Sequence, residues 1–399
     1  MLSHTRKLAE FAATLRLADV PPDVLARAKA IVLDGLGCAL FGAGLEWSSI
    51  LRGVIRKLEP QGGCSSIWGC GESVSPVHAA LVNGTMLQGY ELDDTHPATM
   101  HNCAAVLPAV IAATEMTGAD RVSGKQLLTA IIAGFEIGPR VGLCVNGNRL
   151  LVRGWHTPGI FAPFPAAVSA AMIMGLDAER IYQALGIAGP QSAGIMAVQF
   201  GSMVKRMLSA KGSQSGLYAA LLAADGFTGA DDIFEQSYGG FCTTYTQSSE
   251  DFDLSELTGE LGTRWETMRI TTKRHSCCGT NLSTLDAIED LVAEKGVRAA
   301  DVERVTVAVT ESAVSHSYWT PYEPTDLTAA QMHMGFCVAM KLIDGEVFVD
   351  QMVDRNIGRP DLVDLANRVD VIHDEAREAR GRPLARGADV RIRLRNGET

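Results

Sequence analysis

Residues 89–117 read GYELDDTHPATMHNCAAVLPAVIAATEMT. The first half packs Glu91, Asp93, Asp94, Thr95, His96, Thr99 and His101 into a turn-prone segment, and the second half is an apolar run. Three acids and two histidines are costly to bury without partners, so they predict a polar pocket at a helix end. Histidines and carboxylates are the usual proton carriers, which makes acid–base chemistry one use for such a pocket. Helix capping is the other reading, since Asp and Thr cap well and Pro97 suits a helix start or a turn. The apolar run predicts a buried helix over Leu107–Thr117, with Pro108 tolerated in its first turn.

On either side of this stretch the chain repeats the helical theme. Leu8, Phe11, Ala12 and Leu15 recur at helical spacing within residues 3–16. Pro21 and Pro22 open a helix over Asp23–Phe41. Residues 62–72 read as a short loop or strand. Further helices are predicted over His78–Tyr90, over Gly124–Cys144 from a cap at Ser123, over Ile160–Met174, from a start within Leu176–Leu185, and over Ser209–Ala224. The GIAGPQSAG segment (186–194) reads as a break.

The character changes near residue 265. Met268–Thr272 predicts a strand and Leu282–Glu294 a helix. Val302, Val305, Val307 and Val309 predict a strand over Val302–Thr310. Thr328–Ile343 predicts a helix, and Val369–His373 and Ala388–Arg395 predict strands. The expected fold is mainly α, with a large all-helical domain (1–265) and a smaller α+β domain (266–399). The last residues, VRIRLRNGET, stop on Asn-Gly, a strong hairpin signal. A partner strand is therefore expected to follow, and the chain is expected to be truncated at this end.

The chain has 399 residues, of which 47% are apolar and 20% charged, which is an ordinary globular composition. A net charge of −11 argues against nonspecific nucleic-acid binding, which needs a basic face. It leaves room for a local cationic pocket that takes an anion. His4, Arg6, Lys7 and Glu10 interrupt any export signal at the N-terminus, so the nine cysteines are expected to be reduced thiols in the cytoplasm. No uncharged apolar run reaches the roughly 18 residues of a membrane helix, so no membrane partner is expected.

Other polar groups stand out. His156 lies in the turn GWHTPG, where a structural and a functional role are both open. Lys205 and Arg206 precede a helix start, an unfavourable place for a cation unless an anion sits there too. Lys273, Arg274 and His275 begin the second domain, and two adjacent cations suit a carboxylate-bearing ligand. Cys277 and Cys278 are adjacent, with no CxxC partner, which is poor zinc spacing, so no metal site is expected. Asp93, Asp94, His96 and His101 also lack a recognised metal-ligand spacing. No nucleotide-binding glycine pattern and no GxSxG elbow stands before a suitable helix.

Taken in order, several segments resemble the MmgE/PrpD family of 2-methylcitrate dehydratases, cis-aconitate decarboxylases and an iminodisuccinate epimerase. They are ELDDTHPATMH (91–101), GWHTPGIFAPFPAA (154–167), ALGIAGPQSAG (184–194), KRMLSAKGSQSGLYAALLAADGFTG (205–229), KRHSCCGTNLSTLDAI (273–288) and AAQMHMGFCVAMKLIDGEV (329–347). The resemblance implies the same two-part fold, a homodimer, and no metal or organic cofactor. It also implies a decarboxylase-like pocket built from Thr95, His101, His156, Lys205, Lys273 and Tyr318. Two positions depart: Glu91 stands where that pocket has Asp, and Cys278 where it has His. The second change removes a proton carrier that works near neutral pH.

The expected activity is a cofactor-independent lyase, dehydratase or decarboxylase, acting on a small di- or tricarboxylate. Lys205 and Lys273 would stabilise enolate-like charge, with Arg274, His275 and Cys278 as further substrate contacts. His101 or His156 would move the proton at carbon, while Glu91, Thr95 and Tyr318 would orient the substrate or a second proton. An epimerase of an imino- or hydroxy-dicarboxylate would need the same groups. A non-catalytic helical scaffold is the remaining alternative.

Overall fold

A computed structural model describes residues 2–380 and 386–399. The chain divides into two compact units. The first comprises Met1–Met196 and Arg206–Thr272; the second comprises Ala197–Lys205 and Lys273–Thr399. The chain thus leaves the first unit for nine residues, returns to it, and leaves again.

The first unit is helical: α1 (His4–Thr14), α2 (Pro22–Gly42), α3 (Glu46–Leu58), a small hairpin of β1 (Ser65–Ile67) and β2 (Glu72–Val74), α4 (Pro76–Leu87), α5 (Asn102–Thr117), α6 (Gly124–Cys144), α7 (Gly147–Val152), α8 (Thr157–Phe161), α9 (Pro163–Ile173), α10 (Ala178–Ala188), α11 (Leu208–Ala224), α12 (Phe241–Thr246) and α13 (Ser255–Thr258). At the centre α11 packs on α9, α4 and α5, and α9 packs on α6. Small residues allow this closeness. A Cβ on Gly216 would lie 2.4 Å from the Pro163 carbonyl oxygen, and one on Gly212 would lie 2.4 Å from the Ala162 Cβ. Phe164 anchors an aromatic cluster, with ring centroids 4.7 Å from Phe234 and 4.9 Å from Phe241. α6 is long and apolar enough to cross a membrane by composition, yet 83% of its apolar window is buried inside the protein. Along α2 and α3 the apolar side chains Leu33, Leu40, Ile50, Val54 and Leu58 remain exposed.

Several helix boundaries in this unit differ from the sequence expectation: α4 runs over Pro76–Leu87 rather than His78–Tyr90, the helix predicted over Ile160–Met174 is divided at Ala162 between α8 and α9, and two further differences concern α5 and α10. α5 begins at Asn102, five residues before the predicted Leu107, and Pro108 falls inside the helix rather than in its first turn. The earlier start has a distant cap. Asp94 accepts hydrogen bonds from the Asn102 and Cys103 backbone N–H groups at 2.8 and 2.7 Å. The first turn of a helix leaves such donors without internal partners, and a carboxylate satisfies them well. The segment read as a break over 186–194 remains helical to Ala188 and then tightens into a 3-10 turn over Gly189–Gln191. α6 keeps the predicted limits, with Ser123 and Gln126 forming a reciprocal capping box.

The second unit contains α14 (Leu282–Lys295), β3 (Val302–Val309), α15 (Glu311–Ser317), α16 (Leu327–Met332), α17 (Met334–Asp344), α18 (Asp354–Ile357), α19 (Pro360–Ala366), β4 (Val369–His373), α20 (Glu375–Glu378) and β5 (Asp389–Leu394). Its sheet has the order β4-β3-β5, with β4 parallel and β5 antiparallel to β3. Val305 and Val307 pair with Val369 and Val371 on one side and with Ile392 and Val390 on the other. Asn396-Gly397 ends β5 in a turn, with Gly397 at φ 88°.

Two further sequence expectations fail, one at the end of the first unit and one in the second. Met268–Thr272 is a 3-10 turn over Glu266–Arg269 followed by a single bridge from Thr271 to Thr95, not a strand. Thr328–Ile343 is two helices, because His333 breaks the run and caps α17 by accepting a hydrogen bond from the Phe336 N–H at 3.0 Å. The short segment Ala197–Lys205 joins this unit through Phe200, whose ring meets Trp319 edge-on at 5.2 Å, and Gly201. At φ 105°, Gly201 sits where a Cβ would be 2.4 Å from an Asp326 carboxylate oxygen.

Candidate active site

In the first unit the loop between α4 and α5 carries Glu91, Thr95 and His101. Its backbone is strained at two non-glycine positions, Glu91 (φ 55°) and Thr99 (φ 62°). A left-handed conformation costs a residue with a side chain about 1–2 kcal/mol, and it persists only where the surroundings hold it. Here they do. Glu91 is buried, and its carboxylate lies 3.3 Å from the buried Arg206 guanidinium, which in turn sits 5.2 Å over the Trp47 ring. Thr95 exchanges two backbone hydrogen bonds of 2.8 Å with Thr271.

Behind the loop, His96 Nε2 lies 3.1 Å from Glu266, with both side chains fully buried. Burial alone would raise the Glu266 carboxyl, but His96, Arg269 and Arg264 outweigh it and hold it at about 2. Burial pushes the Asp94 carboxyl up, and the Asp93 charge adds to that, while the Asn102 and Cys103 donors pull it back.

His101 sits at the end of this loop. Its Nδ1 lies 2.9 Å from Asp93 Oδ2 and 3.0 Å from the Asp94 carbonyl oxygen. His156 is the N-cap of α8, where its Nδ1 accepts the Gly159 N–H at 3.2 Å. The two histidine segments are joined directly: the Thr157 hydroxyl donates to the Thr99 carbonyl at 3.0 Å. The structure therefore brings Glu91, Thr95, His101 and His156 into one connected region of one unit. Sequence reasoning named Asp93 only as one acid among several; its place beside His101 has no linear signal beyond the spacing of eight.

The remaining expected residues belong to the second unit. Lys205, in a 3-10 turn over Met203–Met207, is 2% exposed, and Lys273 is 7% exposed. Cys278 is buried, with its Sγ 3.1 Å from the Thr280 hydroxyl. Tyr318 donates its phenolic hydrogen to the Val369 carbonyl at 3.1 Å. Arg274 and His275 line a cavity of about 440 Å³ together with Glu289, Lys341 and Phe348. There Arg274 and Lys341 approach the two oxygens of Glu289 at 2.6 and 2.7 Å, which holds that carboxyl at about 2. Burial, and then the Lys341 charge, lower the His275 imidazole. Among the described residues, no cluster of His, Cys, Asp and Glu is suited to hold a metal ion.

The profile of the MmgE/PrpD N-terminal domain matches residues 6–253, and that of the MmgE/PrpD C-terminal domain matches residues 275–399. The chain belongs to the MmgE/PrpD family, and it is an enzyme, a lyase of the dehydratase or decarboxylase type. Among its relatives is the cis-aconitate decarboxylase-like protein oryM of Aspergillus oryzae, 36% identical over 99% of this chain and 84% of that protein. The cis-aconitate decarboxylase of Aspergillus terreus is 34% identical over 99% of this chain and 83% of that protein. The human cis-aconitate decarboxylase is 24% identical over 92% of this chain and 76% of that protein. A non-catalytic scaffold finds no support in these matches.

Proposed function

We propose that the chain is a cofactor-independent lyase of a small di- or tricarboxylate, and that a cis-aconitate-like tricarboxylate is its substrate class. The carrying observation is the pair of histidine segments joined through Thr157 and Thr99, each imidazole held at Nδ1 by a defined partner. Positioned proton carriers of this kind contribute about 10²–10⁴-fold to a rate. The similarity to named cis-aconitate decarboxylases over almost the whole chain supports the substrate class.

The chemistry asks for little else. In a decarboxylation, the bond from carbon to the departing carboxylate breaks and carbon dioxide leaves. The electron pair spreads towards a remaining carboxylate as an enolate-like charge, and a protonated imidazole returns a proton to carbon. The ammonium groups of Lys205 and Lys273 are the chain's candidates for stabilising that charge. In a dehydration the same enolate-like charge forms by loss of a proton from carbon to one imidazole, and the hydroxyl takes a proton from the other and leaves as water. Because Cys278 takes the place of a histidine, the proton traffic falls to His101 and His156. Glu91, Thr95, Arg274, His275 and Tyr318 are proposed as substrate-orienting groups. A homodimer is part of this reading, and the apolar side chains exposed on α2 and α3 would suit it; sedimentation velocity over a dilution series tests that part.

Proton NMR in deuterium oxide with cis-aconitate, 2-methylcitrate, citrate and iminodisuccinate tests the activity. Itaconate from cis-aconitate establishes decarboxylation, and a new vinylic signal from a hydroxy acid establishes dehydration. Deuterium entering recovered substrate with an unchanged skeleton moves the assignment to an epimerase. Silence from folded protein across the panel removes the substrate class.

A further inference from the structure

The two histidines of the first unit are held in opposite ways. His101 Nδ1 is hydrogen-bonded to the Asp94 carbonyl oxygen at 3.0 Å, and the Asp93 carboxylate stands beside it, with Oδ2 at an ion-pair distance of 2.9 Å. A ring nitrogen bonded to a carbonyl oxygen beside a carboxylate must carry hydrogen, so in neutral His101 the lone pair is on Nε2. His156 Nδ1 faces a donor, the Gly159 N–H at 3.2 Å, so its lone pair is on Nδ1 and its hydrogen is on Nε2.

We propose that Asp93 is the positioning residue that makes His101 Nε2 the base of the reaction, while the Gly159 N–H makes His156 the hydrogen donor. The assignment deepens the lyase reading and rests on it for its catalytic meaning. Asp93 acts through His101 and need not touch the substrate. Its carboxylate is fully buried and lies 2.9 Å from Nδ1, where it keeps the hydrogen on that nitrogen, while the Asp94 carbonyl holds the ring by a hydrogen bond. Asp94 contributes only its carbonyl to His101, because its carboxylate is committed to the N-terminus of α5. The other charged groups on this loop are Glu91, paired with Arg206, and His96, paired with Glu266. From α2, the Asp34 charge reaches Cys103 at the start of α5. An adjacent carboxylate–imidazole pair thus feeds one side of the Thr157–Thr99 link, and a backbone-capped imidazole feeds the other.

Two measurements test this. The first needs no substrate and so stands apart from the lyase reading. Nitrogen-15 NMR of histidine-labelled full-length protein, above the pH at which the rings are charged, is expected to show hydrogen on Nδ1 of His101 and on Nε2 of His156. Hydrogen on Nε2 of His101 would overturn the proposal. The second is D93N, which keeps the shape and removes the charge. Turnover (kcat) is expected to fall about 10²–10⁴-fold with KM changed only a few-fold. Wild-type kcat, or a rise confined to KM, would overturn the role of Asp93. Absence of any turnover in the wild type with the expected tautomers would instead count against the lyase reading alone.

Discussion

Lys205 and Lys273 are almost wholly enclosed, and a buried ammonium is retained only at a cost in desolvation. On the proposed reading as a polycarboxylate lyase, that cost has a use, the stabilisation of charge that appears only in the transition state. K205M is therefore expected to lower kcat by about 10²–10³-fold, with circular dichroism unchanged. Full turnover in K205M would remove the residue from the mechanism. Glu91 is a different case, because its buried carboxylate faces Arg206 from a strained backbone. E91Q removes the carboxylate charge 3.3 Å from that guanidinium and is expected to destabilise the fold by about 3 kcal/mol in denaturant unfolding. At this scale the residue types were legible in the sequence, and their pairings were not. His101 was visible as a candidate base, while its partner Asp93 was hidden among three acids, because nothing linear says which acid turns inwards to the ring.

Helices read from apolar spacing kept their limits where the cap was local, as at Ser123 before α6. They moved where the cap came from elsewhere. α5 starts early because Asp94, eight residues upstream of Asn102, satisfies its first donors. D94A is expected to cost about 2 kcal/mol through loss of this cap, and hydrogen exchange is expected to speed up first in the opening turn of α5. The predicted single helix over Thr328–Ile343 failed for a related reason: a histidine side chain can end one helix and begin the next. Close packing makes its own prediction. Any Cβ at Gly216 collides with the Pro163 carbonyl, so G216A is expected to force α11 away from α9 and to cost about 1–3 kcal/mol by thermal unfolding.

Acid should act on the two units in sequence. Burial lowers the His333 imidazole to about 4, below its usual 6.5, so the folded second unit resists a proton that the unfolded chain accepts. Its contribution is present above about 6.5 and is lost as pH falls through the window from 6.5 to about 4. Glu266 in the first unit is held at about 2, below its usual 4.5. Its contribution is present above about 4.5 and is lost as pH falls towards 2, for roughly 3 kcal/mol in all. Denaturant unfolding at stepped pH is expected to show the second unit weakening first; equal loss in both units between pH 6.5 and 5 would contradict the assignment. The mainly α architecture and its α+β end were legible from the change in periodicity, since valines alternate over Val302–Val309 and nowhere so clearly before. The grouping of Ala197–Lys205 with the second unit was not legible, because a nine-residue excursion has no period of its own.

That excursion sets an order of events during synthesis. The ribosome delivers Lys205 and its neighbours before α11, yet the partners they settle with, Trp319 and Asp326, emerge more than a hundred residues later. Until then the nascent chain must hold this short loop without its packing. For the same reason no single cut yields two self-sufficient halves. A fragment beginning at Lys273 lacks Phe200 and Gly201, and co-expression of 1–272 with 273–399 is expected to succeed only if the two pieces reassemble around that loop.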